Sequence, residues 1–253
     1  MDFKDKVVLV TGGGSGIGQA IAEAFAARGA KVLINDISES GVSVAEQIGG
    51  NFFKADLSDP NSVRALAKTI LEPFPCIDIL VNNAGFQTVA PVEDFPDETW
   101  IKMIHVMLIA PFQLTKYLVG AMKAKGWGRI INISSLHGLV ASPYKSAYIS
   151  AKHGMLGLTK TIALEVAADG ITVNAICPAY VRTPLVEKQI RAQAETHGIP
   201  EQEVIEKIML EPAAIKRLIE PVEVADLALF LASDKASSMT GASYMMDLGW
   251  IAR

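Results

Sequence analysis

A glycine-rich turn near the start of the chain constrains the fold more than any other segment. Residues 11–18 read TGGGSGIG and lie between an apolar run, KVVLVT at 6–11, and an amphipathic stretch over about 16–28. Glycines let the chain turn tightly and let a pyrophosphate approach backbone N–H groups at a helix start. A glycine string alone is weak support, but one that joins a buried strand to a helix is the context that confirms such a motif. The turn therefore predicts a nucleotide-binding α/β fold.

The rest of the chain alternates short apolar runs with longer amphipathic stretches. Continuous apolar strands separated by helices indicate a parallel sheet that is buried on both faces. No linker or internal repeat interrupts the pattern, so we predict one α/β domain over 1–253, a Rossmann-like doubly wound parallel sheet with helices on both faces. The predicted strands are 6–11, 31–36, 52–57, 77–81, 128–135, 171–177 and 242–246. The predicted helices are 16–28, a stretch ending near 48, 60–71, 99–125, 147–168 and 221–232.

A polar segment over 183–212 interrupts this alternation after the sixth strand. Its pattern predicts helix, and it follows the carboxyl end of a strand, where ligands bind in open α/β sheets. It is therefore a candidate lid over the substrate. A surface helical hairpin fits the same pattern equally well.

Composition argues against several classes of partner. The formal net charge is −4 and no long Lys/Arg run is present, so nucleic acid is an unfavourable partner. Uncharged apolar runs fall short of the roughly 20 residues of a membrane helix. The opening MDFKDKVVLV predicts a strand almost at once, so we expect no secretory leader. Cys76 and Cys177 lack a metal-ligand spacing and fit small buried thiols in a reducing cytoplasm, so we expect no metal site.

The end of the second predicted strand indicates the choice of nucleotide. Asp36 lies about twenty residues beyond the glycines, where a carboxylate accepts hydrogen bonds from an adenosine ribose and repels a 2′-phosphate. Neither Ser15 nor Ile37 is basic, so nothing there offsets the repulsion. The sequence predicts NAD rather than NADP. A solvated loop carboxylate is the alternative for Asp36.

Polar residues also follow the next two predicted strands. Asp56-Leu57 comes after the third, and Asn82-Asn83-Ala84-Gly85 comes after the fourth. Both positions lie at carboxyl ends of strands, on the expected ligand side of the sheet. The asparagines equally suit a loop, because Asn tolerates left-handed backbone and hydrogen-bonds its own turn.

A serine, a tyrosine and a lysine form the candidate catalytic group. Tyr148 and Lys152 are four residues apart, on one face of a predicted helix, and Ser135 ends the fifth predicted strand. Together with TGGGSGIG and NNAG, this pattern resembles the short-chain dehydrogenase/reductase family over essentially the whole chain. The resemblance extends to NAICP at 174–178 and to Thr240-Gly241.

The resemblance implies hydride transfer between a nicotinamide and an alcohol or ketone. Tyr148 would exchange the hydroxyl proton, Lys152 would lower the pKa of that tyrosine with help from the oxidised nicotinamide, and Ser135 would hold the substrate oxygen. The family also implies a homotetramer. The cofactor-binding residues that it implies are Gly12, Ser15, Gly16, Ile17, Gly18, Asp36, Asp56, Leu57, Asn83, Tyr148, Lys152, Pro178, Val181 and Thr183.

One family residue is replaced. Many members carry an Asn in the long helix, as part of a water-linked proton relay beyond the lysine, and Met107 stands at that position. A thioether is at best a weak acceptor and cannot donate to a water. His105 is two residues away and should point to another face, so it is not an evident substitute.

Several segments resemble the 3-hydroxybutyrate dehydrogenases within the family. They include 85–96, 135–148 and 183–190, with Gly249-Trp250 at the end, whereas Ala179 and Leu248 depart from the usual glycines. The resemblance implies that a small group of side chains binds the carboxylate of a short hydroxy acid. These are Gln87, His137, Lys145 and Gln189.

Residue chemistry agrees with this substrate class. A short keto acid needs a fixed cation and neutral donors. Lys145 lies at a predicted helix N-terminus, where the helix dipole disfavours a cation by about 0.3–1 kcal/mol. A lysine kept at such an unfavourable position suggests a functional role. A solvated lysine is the alternative. Two other functions stay open: an NADPH-linked reductase of a ketoacyl thioester or similar carbonyl, and a nucleotide-binding regulatory protein without turnover.

Overall fold

The computed structural model describes residues 1–191, 193–195 and 197–252, and its centre is a seven-stranded parallel sheet. The strand order is β3-β2-β1-β4-β5-β6-β7, which confirms the predicted doubly wound arrangement. The order reverses beside β1, and ligands bind at such a switch point, outside the carboxyl ends of the strands. The strands are β1 (Val7–Thr11), β2 (Lys31–Asp36), β3 (Asn51–Lys54), β4 (Ile79–Asn82), β5 (Gly128–Ile133), β6 (Ile171–Pro178) and β7 (Ser243–Met246).

Helices connect the strands and cover both faces of the sheet. Predicted and observed bounds agree at β2, α3 and α9, while the third strand stops at Lys54 rather than at residue 57. Asp56 and Leu57 therefore lie in the loop after the sheet, nearer to the ligand side. The helices are α1 (Gly16–Ala26), α2 (Ser40–Gln47), α3 (Pro60–Leu71), α4 (Asp97–Ile104), α5 (Ala110–Lys125), α6 (Ser146–Val166), α7 (Pro184–His197), α8 (Glu201–Glu203) and α9 (Pro221–Ala232).

Alternation along each strand divides the core into two layers. In β1, Val8 and Val10 belong to the cluster with Phe25 of α1, while Leu9 between them faces the cluster with Leu114 of α5. All five side chains are fully buried. Burying an apolar side chain of this size contributes roughly 1.5–3 kcal/mol, so both faces of the sheet stabilise the fold.

The run Asp97–Lys125 is the one helical segment of the described chain that could cross a membrane by length and composition. Met103, Met107 and Leu114 of this run are fully buried against the sheet, whereas Ile101 and Phe112 are exposed. Core packing therefore explains part of the apolar composition.

The long helix predicted over 99–125 is present as one continuous helical run, Asp97–Lys125, but its middle is not regular α-helix. The backbone widens into a π-helical turn at His105–Ile109 between α4 and α5. Pro111, which follows, has no N–H to donate to the carbonyl of Met107, and its ring crowds that carbonyl. A wider turn relieves both problems, and such turns are frequent at functional sites.

The segment over 183–212 is helical as predicted and has its own apolar core. It contains α7, α8 and a second π-helical turn, Val204–Met209. Ile190, Val204 and Leu210 are fully buried in one cluster, against which Tyr180 and Trp250 pack. The segment is thus a compact unit over the carboxyl end of β6.

The two thiols differ. Cys177 is fully buried, and burial raises its pKa to about 11, as expected of an inert core cysteine. Cys76 is only partly buried, which corrects the expectation of two buried thiols.

Candidate functional site

A cavity of about 630 Å³ opens at the carboxyl ends of the strands. Loops from the central strands line it on one side, and the start of α7 lines it on the other. Almost every residue singled out from the sequence lies on its wall. These are Gly12, Ser15, Gly16, Ile17, Asp36, Asp56, Leu57, Asn83, Gln87, Ser135, His137, Lys145, Tyr148, Lys152, Pro178, Val181, Thr183 and Gln189.

Gly18 is the exception, because it lies behind the turn rather than on the cavity wall. A Cβ added at Gly18 would lie 2.1 Å from the carbonyl oxygen of Gly12. Gly18 therefore lets α1 pack against the turn, and its contact with a cofactor stays a prediction. Gly12 and Gly16 have φ angles of +63° and +54°, which favour glycine.

Asp36 is fixed against the glycine turn. One carboxylate oxygen accepts a hydrogen bond from Gly14 N at 2.9 Å, and the other accepts one from Ser38 N at 2.9 Å. The carboxylate therefore has a defined position at the outer end of the cavity. A rigid acceptor in that position suits a pair of ribose hydroxyls and disfavours a phosphate.

Asp56 lies in the same half of the cavity. Burial acts to raise its pKa, but hydrogen bonds from Ser58 and the positive charge of Lys102 outweigh that effect, so the pKa is lowered. Lys102 Nζ lies 3.9 Å from the carboxylate. Lys102 also lines the cavity, and nothing in the local sequence marks it, because a lysine on an amphipathic helix is usually only a surface residue.

Asn83 ties the loop after β4 to the glycine turn. Its side-chain amide donates to the carbonyls of Thr11 and Gly12 at 2.9 and 3.0 Å, and its backbone N–H donates to Thr11 Oγ1 at 3.0 Å. Asn83 therefore has the structural role in the loop, and because it also lines the cavity its contact with a cofactor stays a prediction.

Ser135, Tyr148 and Lys152 meet in the middle of the cavity. Lys152 Nζ lies 5.5 Å from the centre of the Tyr148 ring and donates to the carbonyl of Ile133 at 2.7 Å. Ser135 Oγ accepts from the backbone N–H of His137 at 3.2 Å and donates to the carbonyl of Pro178 at 3.5 Å. The strand end and one helix turn thus bring the three side chains together, as the sequence predicted.

Burial shifts the pKa values of both Tyr148 and Lys152. Burial raises the pKa of Tyr148, and the polar side chain of Ser135 only partly offsets that rise. Burial also lowers the pKa of Lys152, to about 8. The cation alone therefore does not lower the pKa of the tyrosine, because desolvation of the phenolate outweighs it. The phenol is protonated at neutral pH in this structure.

The substrate end of the cavity holds an unpaired cation. Lys145 lies at the cap of α6, and burial lowers its pKa. No carboxylate among the described residues lies within salt-bridge distance of its Nζ, although it is partly buried. Gln87, Gln189 and His137 line the same cavity. A partly buried cation without a counterion favours an anionic ligand.

Met107 is fully buried beneath the cavity. A Cβ added at Gly85 would lie 3.2 Å from its Cγ and its Sδ, so the thioether packs under the loop after β4. It offers no hydrogen-bond donor to a relay. His105 is partly buried on the same π-helical turn and does not line the cavity.

Tyr180 is the clearest site residue that the sequence did not reveal. It lines the cavity after β6, its ring lies 5.9 Å from that of Trp250, and burial raises its pKa. Its charge interaction with Tyr148 acts to raise the pKa of that tyrosine further. A lone tyrosine after a strand belongs to no recognisable sequence motif, so only the fold shows that it lines the site.

Among the residues described, no group of His, Cys, Asp and Glu is arranged to hold a metal ion.

Comparison with known proteins gives relatives that match nearly the whole chain. A family profile described as enoyl-(acyl carrier protein) reductase matches residues 12–251. D-beta-hydroxybutyrate dehydrogenase of Rhizobium meliloti (strain 1021) is 48% identical over 98% of this chain and 99% of its own length. The protein with the same name from Cupriavidus necator is 44% identical, over 98% of both chains.

The fold has a solved counterpart as well. A crystal structure described as ribose-5-phosphate isomerase from Brucella melitensis 16M matches with a TM-score of 0.88 at 30% identity, over 99% of this chain and 93% of that one. Its isomerase name stands apart from the dehydrogenase names. What the two chains share in this comparison is the architecture.

Proposed function

The chain belongs to the short-chain dehydrogenase/reductase family and is an oxidoreductase, and we propose that it interconverts D-3-hydroxybutyrate and acetoacetate with NAD. The observation that carries the substrate class is Lys145, a partly buried cation on the cavity wall without a carboxylate partner among the described residues. A short keto acid supplies the missing negative charge. The relatives named D-beta-hydroxybutyrate dehydrogenase support the same substrate.

NAD is the proposed cofactor because of the chemistry around Asp36. The glycine turn lines one end of the cavity, where Gly12 and Gly16 adopt left-handed backbone angles and carry no side chain that would keep a diphosphate away from the backbone. Asp36 supplies a fixed carboxylate at the outer end, and neither Ser15 nor Ile37 is basic. These residues fit the diphosphate and ribose of NAD.

Tyr148 is the proposed acid and base. NAD, when bound, would accept the hydride from the alcohol carbon. Tyr148 accepts the hydroxyl proton during oxidation, and as a phenol it donates that proton back during reduction. The Ser135 hydroxyl lines the same cavity as the Tyr148 phenol, and it is the proposed partner of the substrate oxygen. Lys152 stabilises the phenolate that oxidation requires.

The remaining parts of the proposal concern organisation. We propose that residues 1–253 act as one NAD-binding domain, with 183–212 as a substrate lid, in a cytoplasmic homotetramer. The lid assignment is supported by Thr183 and Gln189, which line the cavity from the start of this segment. Lys145, Gln87, His137 and Gln189 are the proposed carboxylate clamp.

A substrate panel tests this function on the wild-type enzyme. With NAD, NADH should form rapidly from D-3-hydroxybutyrate and slowly from its L enantiomer or from 2-butanol. With D-3-hydroxybutyrate and NADP in place of NAD, NADPH should form slowly. A 3-ketoacyl thioester with NADPH is the comparison for the rival carbonyl reductase. Faster turnover of the thioester, or equal use of both nucleotides, would contradict the proposal. Nucleotide binding without turnover of any substrate would instead indicate a regulatory protein.

A further inference from the structure

Ser142 lies outside the cavity wall but contacts a residue on it. The Ser142 hydroxyl oxygen is 2.8 Å from Nε2 of His137. His137 is only 6% exposed and lines the cavity, whereas Ser142 does not line it. Ser142 can therefore act on a ligand in the cavity only through the imidazole of His137.

The imidazole of His137 is neutral in this environment. Burial lowers its pKa to about 4, and the charges of Lys145 and His153 act in the same direction. A neutral imidazole has one nitrogen that donates and one that accepts. Which nitrogen carries the hydrogen is set by the partner of the other nitrogen.

The other nitrogen of His137, Nδ1, is available to a ligand. It makes no hydrogen bond with any described residue, and it is not one of the buried polar atoms that lack a partner. It is therefore accessible from the cavity. The neighbouring charge is the Lys145 cation, so the ligand that the cavity favours at this end is an anion. An Nδ1 lone pair would repel that anion, whereas Nδ1–H would bind it.

We propose that Ser142 sets the tautomer of His137 by donating its hydroxyl hydrogen to Nε2, which leaves Nδ1–H as a hydrogen-bond donor to a carboxylate held by Lys145. Among the described residues the Ser142 hydroxyl has no other hydrogen-bond partner. Ser142 is thus a positioning residue. This inference rests on the proposed carboxylate substrate, but the tautomer itself is measurable without any substrate.

Nitrogen NMR of histidine-labelled enzyme tests the tautomer directly. The His137 signals are assigned by their loss in His137→Gln. In the wild type His137 should carry its hydrogen on Nδ1, and in Ser142→Ala the hydrogen should move to Nε2. Ser142→Thr keeps a hydroxyl and should restore the wild-type pattern. Ser150→Ala removes an exposed serine of α6 and is the matched control.

Kinetics test what the tautomer does. A hydrogen bond to a charged group contributes about 1.5–3 kcal/mol, and 1.4 kcal/mol is tenfold, so Ser142→Ala should raise KM for acetoacetate about tenfold or more. The kcat should stay within about twofold, and Ser142→Thr should recover the KM. A wild-type His137 with its hydrogen on Nε2, or an unchanged KM in Ser142→Ala, would overturn the inference. If the enzyme does not turn over the acid at all, the proposed function fails while the NMR result still decides the tautomer.

Discussion

The two ends of the cavity are built in different ways. At the cofactor end, backbone groups fix the geometry, because Gly12 and Gly16 adopt left-handed angles and Asp36 is anchored by the N–H of Gly14. At the substrate end, side chains from separate segments converge, and the side chains of Lys145 and Gln87 make no hydrogen bond with any described residue. The first end is rigid before a ligand arrives, whereas the second is completed by the ligand. Substitutions at the cofactor end should therefore alter nucleotide binding and stability, whereas substitutions at the substrate end should alter substrate selection.

Tyr148→Phe, where the two ends meet, should have the largest effect. General acid–base groups contribute about 10²- to 10⁴-fold, so kcat should fall by that factor while affinity for NADH, measured by its fluorescence, stays nearly unchanged. Tyr180→Phe, which alters the neighbouring phenol on the cavity wall, is the matched control and should keep most of the activity. Substantial turnover by Tyr148→Phe would mean that another group carries the proton.

The pH dependence of the wild type sharpens the same point. Oxidation needs the phenolate, and burial raises the pKa of Tyr148, so the oxidation rate should increase with pH. Reduction needs the phenol, so its rate should decrease as the phenol ionises at high pH. Profiles with the opposite slopes would contradict the acid–base assignment.

Substitutions at the cofactor end should alter the preference between NAD and NADP without changing KM for the acid substrate. Asp36→Ala combined with Ile37→Arg removes the ribose acceptor and adds a cation for a 2′-phosphate. One charged hydrogen bond corresponds to roughly 10- to 150-fold, so the preference for NAD should flatten or reverse by about that factor. KM for the acid at saturating nucleotide should change little. An unchanged nucleotide preference would show that Asp36 does not contact the ribose.

Gly18→Ala tests whether the cofactor end depends on close packing. The added methyl group meets a backbone carbonyl, and overpacking typically costs about 1–3 kcal/mol, so Tm should fall by several degrees and NAD should bind more weakly. Gly120→Ala is the control, because a Cβ at that exposed helical position meets nothing within 4 Å. It should leave Tm unchanged or raise it slightly. Equal effects of the two substitutions would disprove the packing role of Gly18.

The same contrast explains what the sequence could predict. The glycine turn and the Tyr148–Lys152 pair are short patterns with a fixed local geometry, so chemistry can be inferred from their spacing alone. Gln87, His137, Lys145 and Gln189 come from distant parts of the chain, and only the resemblance to a known family joined them. Spacing does not show which glycines line a cavity, and only the fold shows that Gly18 packs against the carbonyl of Gly12. Tyr180 and the contact of Ser142 with His137 depend on how loops fold back, and no local pattern records that.

Replacing Lys145 tests the central claim most directly, that an unpaired cation at the substrate end selects a carboxylate. Lys145→Met keeps most of the aliphatic length and removes the charge, and Lys160→Met, at an exposed position of the same helix, is the matched control. The account predicts that kcat/KM for acetoacetate falls by about 10- to 150-fold in Lys145→Met, while a neutral ketone such as 2-butanone is reduced at an unchanged or higher rate. Equal losses on the charged and the neutral substrate would contradict the account and would show that Lys145 supports Tyr148 or the fold.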